Sequence, residues 1–429
     1  MTGGAAIQTL PRTLSRRLPF FYGWVILACT CCAGFSRQGG AVATLSIFVE
    51  PMTREFGWTR TALSGAVSLG GVLAALSAPL HGRALDRHGA RFLLCAAILT
   101  TGAAAMLLSL TNSLIMFYLL FCIARMNFAA PFDLGIYGAV TNWFIARRPL
   151  ATAIATLAQM AGLIALPMIA QLGILHGGWR TGWLAIGIAV IAVGFVPNWL
   201  LMVRAPEDLG LLPDAGTIKR RGRITNAETP EPTFTRAQAL RTPAFWLLSL
   251  FTLLAFPVQA GVSLHQAPYL IERGIDATIA ATIVSTFSFM SGVSSLAFGA
   301  LARSFPIRYA LALSGLLQGA GALAMLRIAL PLDGYVAAAI FGAGVGGLMT
   351  LLPIAWADYF GRRSFGAIRG VSLSIQVLGQ ACGPVLSGVL RDRTGSYVAS
   401  LECFVVLSGL SVLAVLWARQ PRAPVSRVA

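Results

Sequence analysis

Runs of mostly apolar residues, each near the roughly 20 needed to cross a bilayer as a helix, recur along the chain at about 20–49, 60–81, 92–110, 113–139, 150–172 and 181–203. After one polar stretch they resume at about 243–270, 277–302, 307–327, 333–357, 366–390 and 397–418. The pattern predicts an all-α membrane protein with twelve transmembrane helices, six on each side of the break. The break, 204–242, holds Pro, Gly and Thr with the run Lys219-Arg220-Arg221, and predicts a flexible linker between 1–203 and 243–429. Arg12, Arg16 and Arg17 precede the first apolar run as in a signal peptide. The run is too long for a signal segment and lacks a small-residue cleavage site, so it reads as a retained first span.

Composition supports the membrane assignment. The chain is 57% hydrophobic and 11% charged, against about 25% charged in soluble domains. A net charge of +17 would suggest nucleic acid in a soluble protein. Here the cations sit in short segments between apolar runs, with no basic stripe interleaved with aromatics, so nucleic-acid binding is not expected. Most cations fall on one side of the predicted membrane, Arg362, Arg363 and Arg369 among them as the loop between spans 10 and 11. By the positive-inside rule both termini are cytoplasmic. Cys29, Cys31, Cys32, Cys95, Cys122, Cys382 and Cys403 all lie within apolar runs without metal-ligand spacing, so neither a disulfide framework nor a metal site is expected. One lysine among 32 basic residues, with abundant alanine, suits a GC-rich bacterial genome and an inner-membrane location.

The two halves repeat. Asn142-Trp143-Phe144, then Arg147-Arg148 and Pro167, correspond to Asp358-Tyr359-Phe360, then Arg362-Arg363 and Pro384. Duplicated six-helix units are a transporter plan, with the substrate held between repeats near the bilayer midplane.

Between spans 2 and 3 stands Gly82-Arg83-Ala84-Leu85-Asp86-Arg87-His88-Gly89-Ala90-Arg91. It resembles the Gly-x-x-x-Asp-Arg-x-Gly-x-Arg loop signature of the major facilitator superfamily. The glycines permit a tight turn, and Asp86 can pair with an arginine or cap a helix N-terminus. Gly82, Asp86, Arg87, Gly89 and Arg91 are therefore expected to gate. The matching loop Gly299–Arg308 lacks the acid. Trp143-Phe144-x-x-Arg147-Arg148-Pro149-Leu150-Ala151 is similar to a segment of the monocarboxylate porters, which adds Arg147 and Arg148 to the gating set. Gly23-Trp24, Tyr359-Phe360-Gly361-Arg362-Arg363 and Gly395-Ser396-Tyr397 resemble the same family and its bacterial members. The resemblance implies two six-helix bundles related by a pseudo-two-fold axis, alternating access, a monomer, and no cofactor. The charged pair usual in span 8 of that family is missing here, where 277–302 has serines and no charge up to Ala302.

Ionisable residues inside spans are costly and mark function. Arg37 in span 1 and Arg125 in span 4 are expected to hold a substrate carboxylate, a bidentate partner for guanidinium. The substrate is then a small organic anion. Asp133, placed near the cytoplasmic end of span 4, and His265 near the outer end of span 7 are the candidates for carrying protons. Gln259, Ser263 and Gln266 share one face of span 7. Ser372, Gln376 and Gly379 share one of span 11, and Gln259 and Gln376 join the substrate-binding set. A proton-driven exporter of drugs or metabolites is the alternative. Span 5 has only Gly162 and Pro167 of the exporters' Gly-Pro-x-x-Gly-Gly motif, and Ala129 stands where their span 4 has glycine. No zinc or serine-elbow motif predicts an enzyme. A sensor of this type would be expected to carry a long soluble tail.

Overall fold

In the computed structural model residues 9–214, 218–220, 223–225 and 232–422 are described. Nine continuous helical runs among them are long and apolar enough to cross a membrane. Two of these are double. Arg60–Leu108 is broken at Gly89, and Arg148–Leu201 at Gly177 and Gly178. With Ile307–Met325 the number of passes is the expected twelve. Gly89 (φ +81°) and Gly178 (φ +78°) adopt the left-handed region that a side chain would oppose, and there the chain reverses without a loop.

The chain divides into two units, 1–230 with 362–374, and 231–361 with 375–429. In the first, span 1 is two helices, Gly23–Arg37 and Val42–Phe56, separated by a 3-10 turn at Gln38–Gly40. The break has a packing cause. A Cβ on Gly40 would collide with the Ala124 carbonyl of span 4, so two backbones meet there. Thr44 donates to the Gln38 carbonyl at 2.7 Å and satisfies one polar group freed by the break. Span 4 is broken as well, into Leu114–Ala129 and Pro131–Trp143, because Pro131 cannot donate to the preceding turn. Its second helix runs four residues past the expected end at 139, to Trp143. Asp133 therefore lies well inside span 4, and its placement near the cytoplasmic end is corrected. Caps follow the usual chemistry: Thr59 accepts from the Ala62 N–H at 3.1 Å and Ser113 from the Met116 N–H at 3.3 Å.

The second unit holds Pro243–Glu272, Ala277–Ser304, Ile307–Met325, Pro331–Phe360, the latter part of Phe365–Thr394, and Val398–Trp417. Its core gathers Val258, Leu270, Ile283, Phe341 and Phe404. Gly342 and Gly346 of span 10 sit against the span 8 carbonyls of Phe287 and Ser291, small residues that let apolar helices approach closely.

Large apolar side chains point outward. Leu76 is 72% exposed, Ile115 76% and Leu175 71%. Water would penalise such a surface, and lipid does not.

The segment expected to be a linker carries a turn at Pro206–Leu209, a two-strand ladder pairing Ile218–Arg220 with Arg223–Thr225, and a short helix Arg236–Leu240 capped by Thr235. Arg221 of the basic run lies outside the described residues.

Candidate functional site

Buried charge in the first unit converges on the two helix breaks. The Arg37 Nε donates to the Phe128 carbonyl at 2.9 Å, two residues before Ala130, where span 4 is interrupted. Its Nη1 donates to Gln159 Oε1 at 2.7 Å, and its Nη2 lies 3.7 Å from Asp133. Arg125 shares an aromatic support with Arg37, for both guanidiniums lie 4.6 Å from the centre of the Phe128 ring. The two arginines expected to act together are thus brought together.

A third arginine joins them. Arg369 Nη2 is 3.3 Å from Asp133 and the residue is 2% exposed. The grouping of Arg369 with the loop between spans 10 and 11 is corrected. It lies in the second turn of the helix beginning at Phe365, and its Nη1 donates to Ser372 Oγ at 3.2 Å. The available signal was its position four residues inside the expected span 366–390. Asp133 is therefore the anionic bridge of a buried cluster. Gln159 (5% exposed) extends it, donating to the Tyr137 hydroxyl at 3.2 Å, which lies 3.2 Å from Thr156 Oγ1. Neither Gln159 nor Tyr137 stood out in the sequence, where a polar residue within a span reads as interhelical glue.

Arg125 is held less fully. Its Nη1 reaches the Gly40 carbonyl at 3.5 Å, and its buried Nε has no hydrogen-bond partner. A guanidinium at a broken span with donors unspent is suited to receive an anion.

The loop motif forms a second cluster in the same unit. The Asp86 carboxylate accepts the backbone N–H groups of Gly366 at 2.8 Å and Ala367 at 2.7 Å. It caps the helix beginning at Phe365 by pairing two N–H groups of the first turn, which has no preceding turn of helix to accept them. Burial pushes this carboxyl up to about 6. Gly82 and Gly366 face each other so closely that a Cβ on either would strike the other's carbonyl. Gly89 turns the chain, and Arg204 donates to the carbonyls of Asp86 at 2.6 Å and Arg87 at 3.4 Å. Arg87 itself is exposed, while Arg91 lies 4.9 Å over the Trp199 ring.

Arg147 is exposed, 5.9 Å from the Trp24 ring centre. Arg148 is buried and donates to the carbonyls of Phe144 at 3.0 Å and Thr141 at 3.3 Å. Their loop is capped from the linker, where Asp214 accepts the N–H groups of Ile145, Ala146 and Arg147. Arg362, the repeat counterpart of Arg147, pairs with Glu207 at 2.5 Å and donates to the Asn142 carbonyl at 3.1 Å.

The remaining candidates belong to the second unit. Gln380 donates to Gln259 Oε1 at 3.2 Å, and Ser263 donates to the Gln259 carbonyl at 2.6 Å. His265 packs on Tyr397 with ring centres 5.1 Å apart and a ring nitrogen 3.3 Å from the Pro384 carbonyl. Gln266 and Gln376 are buried, at 3% and 6% exposure. Among the described residues no group of three or more His, Cys, Asp or Glu could hold a metal ion.

The family model described as Major Facilitator Superfamily matches residues 26–372 and 266–429. The membrane sensor protein UhpC of Salmonella typhimurium is 28% identical over 79% of this chain and 79% of its own. Monocarboxylate transporter 11 of Mus musculus is 26% identical over 90% of this chain and 86% of its own, and monocarboxylate transporter 2 of Rattus norvegicus is 22% identical over 91% and 81%. Among solved structures, the proton:xylose symporter XylE superposes with a TM-score of 0.71 over 93% of this chain and 96% of its own at 13% identity, a likeness of fold. With twelve apolar passes, the Asp86 loop seated on a helix start and a family match across nearly the whole chain, this protein belongs to the Major Facilitator Superfamily of membrane transporters.

Proposed function

We propose that this transporter carries a small organic anion, a monocarboxylate, by alternating access, with Arg37 and Arg125 receiving the carboxylate. One observation carries the reading: Arg125 sits beside Arg37 on Phe128 with a buried Nε that nothing accepts. Burying a cation without full pairing is costly, and an anionic cargo that arrives and leaves offsets that cost only while bound. Similarity to the monocarboxylate transporters supports the same substrate class. Asp133 holds Arg37 and Arg369 when no cargo is present. A carboxylate that takes Arg37 from Asp133 leaves the aspartate with Arg369 alone, and a proton taken up there would couple the two cargoes as symport. His265 is the second proton candidate, Gln259 and Gln376 complete the substrate-binding set, and the Asp86 and Arg147-Arg148 loops gate.

The test is uptake of labelled carboxylates (lactate, pyruvate, oxalate and aromatic acids) into proteoliposomes, with and without an imposed pH gradient, for wild type and Arg125→Ala. Uptake of one acid that the variant loses by about tenfold or more supports the reading, and its gradient dependence decides the coupling. Movement of neutral or cationic compounds alone overturns it in favour of an exporter. Saturable binding without uptake would instead match the sensor relative.

A further inference from the structure

We infer that the helix Thr9–Arg17 is a docking surface for anionic lipid headgroups, lying on the bilayer face from which span 1 enters. The helix reads TLPRTLSRR and contains no acidic residue. Pro11 is buried and Leu14 and Leu18 are half-buried, whereas Arg12, Arg16 and Arg17 are exposed. Positions 11, 14 and 18 share one side of a helix, and 12 and 16 share another. The apolar side is the one that packs, against the helix ending at Leu201 and the turn Pro206–Leu209. Arg16 and Arg17, at its end, are exposed.

Its height relative to the membrane is fixed by its neighbours. Residues 18–22 separate it from span 1, which starts at Gly23, and five residues reach at most about 17 Å. Tyr22 donates to the Leu201 carbonyl at 2.9 Å, so the start of span 1 and the end of span 6 lie at one level. At that level Arg91 stacks on Trp199, which is 42% exposed, and Arg147 lies over Trp24. Aromatic and arginine side chains of this kind collect at the bilayer interface. Leu10 and Phe20, 44% and 50% exposed, flank the basic face with apolar surface. A basic amphipathic helix at this depth meets headgroups, and headgroups that complement its charge are anionic.

The experiment uses the full chain in nanodiscs of phosphatidylcholine alone or mixed with phosphatidylglycerol. Trypsin cleavage after Arg12 is followed by mass spectrometry and normalised to cleavage after the exposed Arg422, which corrects for enzyme drawn to charged discs. Each arginine near an anionic surface changes occupancy about fivefold. Cleavage after Arg12 should therefore slow at least about tenfold with phosphatidylglycerol, and the protection should vanish in roughly 0.5 M salt, where the Debye length is a few ångströms. The variant Arg16→Gln/Arg17→Gln should lose most of the protection. Equal cleavage in the two kinds of disc, including none in either, overturns the proposal. So does protection that neither salt nor the double substitution reduces. The salt arm uses wild type alone, so the test does not depend on the variant folding.

Discussion

The Asp133 carboxylate accepts from the Arg369 guanidinium at 3.3 Å across 236 residues of sequence, while its other oxygen lies 3.7 Å from Arg37. One buried negative charge thus serves two cations. Removing it leaves both uncompensated, a loss of about 3–5 kcal/mol for a buried pair. Asp133→Asn should lower the melting temperature sharply and abolish uptake. Adding Arg369→Gln to that variant removes one of the stranded cations, so stability should recover in part while uptake does not. Recovery of neither, or loss of neither, would show that the pair contributes little.

Much of this fold is legible in the sequence. Hydropathy alone marks the passes because each crossing must satisfy its backbone internally and present apolar side chains to lipid. Arg369 was not legible, because a cation three or four residues from a loop looks like a loop cation until its neighbours are known. Asp133 looks like a helix-end charge in the sequence because the apolar run fades at 139, although the buried helix continues through Thr141 to Trp143. Periodicity fixes which residues share a face. It does not say which neighbouring helix that face meets, and Gln159 under Arg37 is of that kind.

Gln159 holds Arg37 through a 2.7 Å hydrogen bond and is itself oriented by Tyr137. Gln159→Leu should raise the KM for the transported anion several-fold with a smaller change in maximal rate, since the arginine stays charged but is no longer aimed. Concentration-dependent uptake separates the two. An unchanged KM would place Gln159 outside the binding path.

Gly82 and Gly366 leave no room for a methyl group between their backbones. Gly82→Ala should push residues 366 and 367 away from Asp86, withdrawing its two donors, and reduce transport about fivefold, since a cap of this kind contributes about 1 kcal/mol. Gly71→Ala, at a position with nothing within 4 Å of the added carbon, is the control and should transport as wild type does.

The Asp86 carboxyl gives a pH signature. Burial pushes it up to about 6 even though Ala367, Gly366 and Arg204 act in the opposite direction, whereas an unfolded aspartate titrates near about 3.9. The folded form therefore binds this proton more tightly. The stability that follows is full below about pH 4 and is lost as pH rises through about 6. Melting temperatures of wild type minus Asp86→Asn should fall across that window, and a flat difference would contradict the assignment.

Arg204, Glu207 and Asp214 each fasten the chain leaving span 6 to a different loop of the first unit: the Asp86 turn, Arg362 and the amides of 145–147. Where the protein can be cut or tagged follows from this. A fluorescent domain inserted ahead of Arg204 would put all three fastenings at risk, whereas one inserted past Asp214 leaves them in place. The stretch from Met202 to Asp214, though it follows the last membrane pass before it, is therefore closed to insertion.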